Sequence, residues 1–251
     1  MTPYTKEYFV DALRNTSERT AKKLVPFVVE LISCSSVIDV GCGDGSWLKE
    51  FETNGISDYL GVDGEYVDQK VLRIPKDHFI SHDLTTPLNL SRTFELAVSL
   101  EVAEHLSEAH SEIFIDSLTR LSPIVLFSAA IPGQGGEMHL NEQWQSYWCV
   151  KFEKRGYLPV DLIRPFLWKQ EGLGFWYQQN TLLYVEPEVL ETNPRIKEGM
   201  NRTNHEYLDI VHPENFKYHQ MKHETESSNV RILLPKAVKA IKKSIARRFG
   251  K

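Results

Sequence analysis

The stretch VIDVGCGDGSWLKEF, Val37 to Phe51, reads as an apolar strand, a glycine-rich turn and a helix. YLGVDG, Tyr59 to Gly64, follows as a second strand that stops on a carboxylate. Gly41, Gly43 and Gly45 let backbone N–H groups approach a ligand where a Cβ would clash. Asp63 lies twenty residues beyond Gly43, where a doubly wound sheet places the acid that grips a ribose. The segment therefore predicts a nucleoside-binding crevice.

The neighbouring sequence repeats the pattern. Val37–Val40, Tyr59–Val62, Phe94–Leu100 and Pro123–Ala129 are short, near-continuous apolar runs, as expected of parallel strands buried on both faces. Between them, Trp47, Leu48 and Phe51 recur at helical spacing before Gly55, and Leu106, Ala109, Ile113, Leu118 and Leu121 do so before Pro123. Alternating strands and helices imply right-handed crossovers and a parallel sheet. Ligands of such sheets bind beyond the carboxyl ends of the strands, where Gly41, Asp63, Asp83 and Glu101 all fall. Ahead of the sheet, Ala21, Leu24, Val25, Val28, Leu31 and Ile32 form a helical stripe that Pro26 is expected to break or kink.

Two cofactor classes use this layout. A dinucleotide binder needs G-x-G-x-x-G, because its diphosphate sits on the helix N-terminus. Here the turn is D-x-G-x-G-x-G, Asp39 to Gly45, with Ser46 in the place of the last dinucleotide glycine and Asp44 inside the turn. Those acids repel a diphosphate and suit the cationic sulfonium and ammonium of S-adenosyl-L-methionine.

In these motifs the chain resembles the class I S-adenosylmethionine-dependent methyltransferases, over about Ser17 to Glu186. The family's first motif matches VIDVGCGDG, with Asp39, Gly41 and Gly43 in place. Its second matches GVDG, where Asp63, with Gly64 beside it, would bridge the ribose hydroxyls. Its third matches HDL, so that Asp83 would face the adenine amino group and Leu84 would add a backbone contact. Its fourth matches FELAVSLEVAEHL, a strand ending at Leu100 beside the transferred methyl group, with Glu101 and His105 at its mouth. The resemblance implies an α/β fold: a doubly wound, Rossmann-like seven-stranded sheet with its last strand antiparallel and helices on both faces. GFWYQQNTLLYVEPE, Gly174 to Glu188, is expected to be that last strand. Helices ahead of the sheet close over the cofactor in this family, which brings Tyr4, Arg14 and Arg19 into view beside their plainer role of covering the sheet.

The acceptor has to be read elsewhere. IPGQGGEMHLNEQWQSYW, Ile131 to Trp148, places Glu137, His139, Asn141, Glu142 and Gln143 in a glycine-rich loop beyond the fifth strand, where substrate contacts belong. Ten of the 27 aromatic residues fall between Trp144 and Tyr177. Some must pack, but aromatic faces beside amides also suit a sugar, and Asn141, Gln143, Trp144, Tyr147 and Trp176 are the candidate substrate contacts. Transfer to a hydroxyl gains from a general base. His139 is the first candidate, because its ordinary pKa lies near neutrality; His105, Glu101 and Glu137 follow. The reading is O-methylation of a small polar acceptor, a sugar or nucleotide-sugar-like molecule, in bacterial glycan or glycosylated-metabolite biosynthesis. N-methylation of an amino sugar or other small amine is the alternative, and a binding protein that keeps the fold without its chemistry is the alternative of another class.

A chain of 251 residues with 41% hydrophobic and 25% charged residues suits one globular domain with an appendage. The boundary is expected at 188, with a polar extension over 189–251 that ends in a helix and acts as a lid or dimer arm. Cys34, Cys42 and Cys149 have neither disulfide nor metal spacing, and His219 with His223 lies in a polar segment that reads as a solvated helix. No metal site is read. Neither a signal peptide nor a spanning segment is visible, so a cytoplasmic enzyme is expected. From Arg231 onward there are eight basic residues and no acid, against a net charge of −5 for the chain. This amphipathic tail suits peripheral contact with the inner membrane face or a glycan-assembly partner, packing on the acidic body, or nucleic acid. That acidic body argues against a nucleic-acid substrate. A homodimer is left open.

Overall fold

The computed structural model of the protein describes residues 6–221, with side chains from residue 15 onward. Tyr4, Arg14, His223 and the basic tail at 231–251 lie outside the described residues.

Seven short strands form one sheet: β1 (Ser36–Val40), β2 (Asp58–Asp63), β3 (Phe79–Ser81), β4 (Leu96–Leu100), β5 (Ile124–Ser128), β6 (Leu158–Val160) and β7 (Leu182–Val185). Their order is β3-β2-β1-β4-β5-β7-β6. The pairings among β1 to β5 are parallel, and β7 runs antiparallel to both β5 and β6. From β1 the chain builds outward to β3 and then returns to lay β4 on the other side of β1. The order thus reverses between β1 and β4, which opens the crevice of a doubly wound sheet at their carboxyl ends.

Side-chain alternation divides the core into two layers, because successive strand residues face opposite sides. On one face, α1 (Lys6–Ile32) contributes Ala21, Leu24, Val25 and Val28, and α2 (Ser46–Thr53) contributes Trp47, Leu48 and Phe51. They meet Val37, Leu96, Val98, Leu126 and Leu183 of the sheet. On the other face, α3 (Ser111–Leu121) and α4 (Gln145–Glu153) bring Phe114, Ile115, Leu118, Trp148 and Phe152 against Ile38, Ala97, Val125, Phe127 and Tyr184. Pro26 does not end α1, which runs through it as one helix. Leu24, Val25 and Val28 are buried around it. At about 1.5–3 kcal/mol for each buried side chain, they outweigh the roughly 3 kcal/mol that an interior proline costs.

Three regions differ from the sequence expectation. Gly174 to Glu188 is only partly strand: α6 (Phe175–Asn180) precedes the four residues of β7. The amides of Gln178, Gln179 and Asn180 are buried and find side-chain or carbonyl partners that an extended ladder would not require. Second, the aromatic crowding is largely core. Trp148, Phe152, Tyr157 and Tyr184 are buried, with Phe152 stacked on Tyr184 at 3.8 Å and Phe127 edge-on to Phe152 at 5.3 Å. Third, the main unit continues to Ile210, past the expected boundary at 188. There α7 (Pro187–Thr192) and α8 (Pro194–Arg202) bury Leu190 and Ile196, and the Asn193 amide donates to the Leu31 carbonyl at 2.7 Å. These helices are too short to show a long apolar stripe. Residues 211–221 belong to a second unit, helical from 213. Among the described residues no helix is long and apolar enough to cross a membrane.

Arg164, on α5 (Ile163–Leu167), fastens the end of the main unit. Its guanidinium is buried, grips the Asp161 carboxylate at 2.9 and 2.6 Å, and donates to the Leu208 carbonyl at 2.6 Å. Removing one partner of a buried ion pair costs about 3–5 kcal/mol. Arg164→Ala is therefore expected to lower stability by about 3 kcal/mol in denaturant unfolding, with early hydrogen exchange over residues 203–210.

Candidate active site

The glycine turn after β1 is drawn tightly to its neighbours. Gly41 has φ +90°, and a Cβ there would lie 2.3 Å from Val102 Cγ2. The chain beyond β4 thus reaches the β1 turn only because Gly41 has no side chain. Asp63, the last residue of β2, accepts the Gly43 N–H at 2.7 Å on Oδ2 and the Gly64 N–H at 2.7 Å on Oδ1. The Tyr66 hydroxyl donates to the same Oδ1, although the tyrosine as a whole is 82% exposed. A carboxylate offers about four lone-pair sites. Two of the bonds to Asp63 are backbone and fixed, whereas an exposed Tyr66 can leave its place to a ribose hydroxyl. Asp39 is buried beside Asp63; burial, and then the Asp63 charge, push its carboxyl up to about 8. A crevice lined by two buried acids suits a cationic ligand and not a diphosphate.

Past β4 the backbone turns left-handed at Glu101, φ +57°. That conformation costs a residue other than glycine on the order of 1–3 kcal/mol. The Glu101 N–H recovers bonds to the Ser128 carbonyl and hydroxyl at 3.0 and 3.1 Å. The turn delivers the Glu101 carboxylate to two buried amides, Gln134 Nε2 and Asn180 Nδ2, each at 3.0 Å. Asn180 also donates to Gln134 Oε1 at 2.9 Å, and Gln179 to Asn180 Oδ1 at 2.9 Å. Burial raises the Glu101 pKa, and the Asn180 and Gln134 hydrogen bonds work against that rise.

One helical turn further lies Glu104, fully buried, with neither carboxylate oxygen hydrogen-bonded among the described residues. Its backbone carbonyl accepts Leu140 N–H at 2.7 Å and Asn141 N–H at 3.0 Å, which pins the substrate-side loop to the end of β4. The same loop brings the His139 ring to 4.9 Å from the His105 ring, edge to face. Glu142 organises the loop: it accepts the Gly133 and Gly135 N–H groups at 2.7 and 2.8 Å and holds His139 Nδ1 at 2.8 Å. Burial, and then the neighbouring His139, lower the His105 pKa, so its neutral form is favoured. Burial and the Glu101 charge raise that of Glu104 well above the carboxylate range.

Of the other sequence candidates, Asp83 is exposed, and its carboxylate is held below the usual range by the Thr85 hydroxyl and N–H at 2.7 and 2.9 Å. Leu84 is buried in the core layer of α3 and α4, whereas Leu100 packs against the opposite layer, that of α1 and α2. Asn141 and Gln143 engage within the fold: Asn141 donates to Ser111 Oγ at 3.0 Å and accepts from Gln143 at 2.9 Å. The Tyr147 hydroxyl donates to Ser111 Oγ at 3.3 Å beneath Lys151, 4.5 Å from its ring centre. Trp144 is 38% exposed at the start of α4, Trp176 lies against Tyr177 at 5.8 Å, and Glu137 is exposed on the loop. Arg19 is exposed on α1 and donates to Thr16. The sequence reading passed over Glu104, Tyr66 and the Gln134–Gln179–Asn180 amides, and it named Glu142 on the loop without giving it a role. The E-x-x-E-H spacing from Glu101 to His105 was the available signal for the first of them.

The methyltransferase-domain family matches residues 12–181. The chain belongs to that family. It is a class I S-adenosylmethionine-dependent methyltransferase. No curated protein sequence matches it. Solved structures share the fold at low identity. The sugar N-methyltransferase KedS8 from Streptoalloteichus sp. ATCC 53650 is 13% identical, over 68% of this chain and 87% of that one, with a TM-score of 0.52. DesVI from Streptomyces venezuelae is 13% identical over 74% and 99%, at 0.51. Magnesium protoporphyrin IX methyltransferase from Synechocystis PCC 6803, with bound S-adenosylmethionine, is 15% identical over 70% and 82%, also at 0.51. In this methyltransferase the close-packed turn at Gly41 and Gly43 and the buried acids Asp39 and Asp63 are compatible with a cationic nucleoside, and would be the residues that hold it.

Two outcomes follow from this geometry. Gly41→Ala is expected to cost about 2 kcal/mol or more through backbone strain and overpacking against Val102. Gly43→Ala, with open space around its Cβ position, should cost about 1 kcal/mol; denaturant unfolding compares them. The second concerns Asp39. With an unfolded value near 3.9 and a folded value of about 8, the native state holds a proton that the unfolded chain has lost between those pH values. Stability therefore falls as pH rises across that window. Asp39→Asn removes this dependence, so its stability gain over the native protein should grow from pH 4 to pH 8 in thermal melts.

Proposed function

We propose that this methyltransferase transfers the methyl group of S-adenosylmethionine to a hydroxyl of a small polar acceptor, a sugar or nucleotide-linked sugar in bacterial glycan or glycosylated-metabolite biosynthesis. The observation that carries the proposal is the pair of histidines beside Glu104, with His139 fastened by Glu142. The cofactor, when bound, supplies an electrophilic methyl on a sulfonium. A neutral amine can attack it unaided, whereas a hydroxyl gains about 10²–10⁴-fold from a group that takes or weakens its proton. A built cluster of proton-accepting groups is surplus to amine methylation and useful to hydroxyl methylation. His139 is the group assigned to the acceptor hydroxyl. The Gly133–Gly136 loop and the exposed Trp144 supply polar and aromatic surface of the kind that suits a polyol. Asn141 and Gln143 act as supports of that loop, and Tyr147 ties α4 to α3.

Aligning acceptor, methyl and sulfur can itself contribute about 7–11 kcal/mol, so the fixed frame around Glu101 matters as much as the proton acceptor. The sugar N-methyltransferase of similar fold brings the amine acceptor into the test as its competing outcome. Nucleotide sugars, glycan precursors and their amino-sugar counterparts would be screened with methyl-labelled cofactor. The expected product is a methyl ether, formed about 100-fold or more slowly by His139→Ala while calorimetry shows unchanged cofactor affinity. Label recovered as an N-methyl amine, or undiminished turnover in His139→Ala, overturns the reading.

A further inference from the structure

Glu104, His105 and His139 each present one ligand atom, and these atoms lie within 4.8 Å of one another. Two imidazoles and one carboxylate converging in this way form a set of metal-ligand type. The stronger observation is Glu104 itself: the side chain is fully buried, and neither oxygen has a hydrogen-bond partner among the described residues. Its polar neighbours are Glu101 and the Ala130 backbone. Buried carboxylates are retained in proteins when they are hydrogen-bonded, paired or bound to a metal, and among the described residues no cationic side chain is paired with Glu104.

We propose that Glu104, His105 and His139 bind a divalent first-row transition-metal ion that holds the acceptor hydroxyl for methyl transfer. The proposal rests on the hydroxyl reading of the same cleft and replaces a His139 base by an ion that His139 ligates. The ligand chemistry selects the ion class: two imidazoles suit iron, nickel or zinc and the carboxylate admits manganese, whereas magnesium and calcium prefer all-oxygen sites. Three protein ligands leave coordination positions for an acceptor oxygen, the arrangement of a catalytic rather than a structural site.

The surroundings are those of a supported site. Metal-binding histidines commonly give their other ring nitrogen to a carboxylate or a backbone carbonyl. His139 Nδ1 is held by Glu142 Oε1 at 2.8 Å, which leaves Nε2 for an ion. His105 is hydrogen-bonded to the Met138 backbone. Gly136 lets the His139 ring lie against the main chain, since a Cβ there would be 2.1 Å from Nε2. The Glu104 carbonyl holds the loop through Leu140 and Asn141. Left-handed residues, Glu101 and Met138, stand at the start of both ligand-bearing segments. In a tetrahedral site with bonds of about 2.1 Å the ligand atoms stand about 3.4 Å apart, so side-chain rotations that draw them together by up to about 1.4 Å complete the site.

The step balances without a redox partner. A cation beside the acceptor oxygen lowers the pKa of its hydroxyl, and the proton passes to water. The oxygen lone pair forms the new O–CH3 bond while the S–CH3 bond breaks, its electron pair remaining on sulfur. The products are a methyl ether, a neutral thioether and one proton.

The test uses the full chain, stripped with a chelator and titrated with manganese or zinc chloride, without cofactor or acceptor. Calorimetry and, for manganese, electron paramagnetic resonance should show one ion per chain, bound at least about 100-fold more weakly by Glu104→Gln and by His105→Gln. Melting curves without metal check that both variants fold; Glu104→Gln should melt no lower than the native protein, because it loses an unpartnered buried carboxylate. Absence of binding at millimolar metal, or equal binding by folded variants, overturns the site and leaves the methyl-transfer reading standing. If labelled transfer is found, chelation should abolish it and manganese or zinc should restore it. Transfer that is indifferent to chelation removes the ion from the reaction.

Discussion

The two hydrogen bonds from the Gly43 and Gly64 amides to Asp63 fix the geometry on which the cleft depends. They join the end of β2 to the turn after β1, so two strand ends act as one rigid wall. The opposite wall is the chain beyond β4, which approaches closely because Gly41 leaves room for Val102. A crevice at a strand-order reversal is a consequence of topology. Its width in this protein follows from one absent side chain and one carboxylate with two backbone donors. Neither tie can shift without moving a strand end, so the turn after β1 and the cluster beyond β4 share a frame.

That frame concentrates negative charge. Asp39, Asp63, Glu101 and Glu104 all stand at or just beyond the carboxyl ends of the strands, and all but Glu101, which is partly covered, are buried. Burial disfavours the ionised form of Asp39, Glu101 and Glu104, and proximity compounds it for Asp39 and Glu104. Such an arrangement opposes stability when empty, and a cationic ligand relieves it. Binding energy is thereby directed to a molecule that carries positive charge rather than to any nucleoside. This electrostatic property separates the site from a dinucleotide crevice more firmly than its glycine spacing does.

The parts legible in the sequence were those with local causes. Apolar runs at β1, β2, β4 and β5, the turn from Gly41 to Gly45 and the acid at the end of β2 each follow from a few adjacent residues. The parts that were not legible depend on contacts across the chain. Gln178, Gln179 and Asn180 form a helix where a strand was expected, because their buried amides are satisfied by residues such as Gln134, more than forty positions earlier. Leu190, Ile196 and Leu208 belong to the main unit, yet they sit on segments too short to display a period. The aromatic concentration was visible, but composition cannot tell a stacked pair such as Phe152 and Tyr184 from a surface for sugar. Glu104 lies three residues from Glu101 in plain view. Its lack of a partner can be seen only when every neighbour is in place.

The cluster beyond β4 also explains why so short a loop carries so many constraints. Glu142 takes two backbone N–H groups and one imidazole, and the Glu104 carbonyl takes two more N–H groups. Five hydrogen bonds therefore position one histidine relative to one carboxylate. A loop that only covered a pocket would not need that degree of definition, since covering tolerates displacements that chemistry does not. The same bonds keep His139 near His105 despite the glycines at 133, 135 and 136, which would otherwise leave the segment free to wander. Flexibility in the sequence and rigidity in the fold are thus reconciled by Glu142, which ties the loop to the same frame as the strand ends.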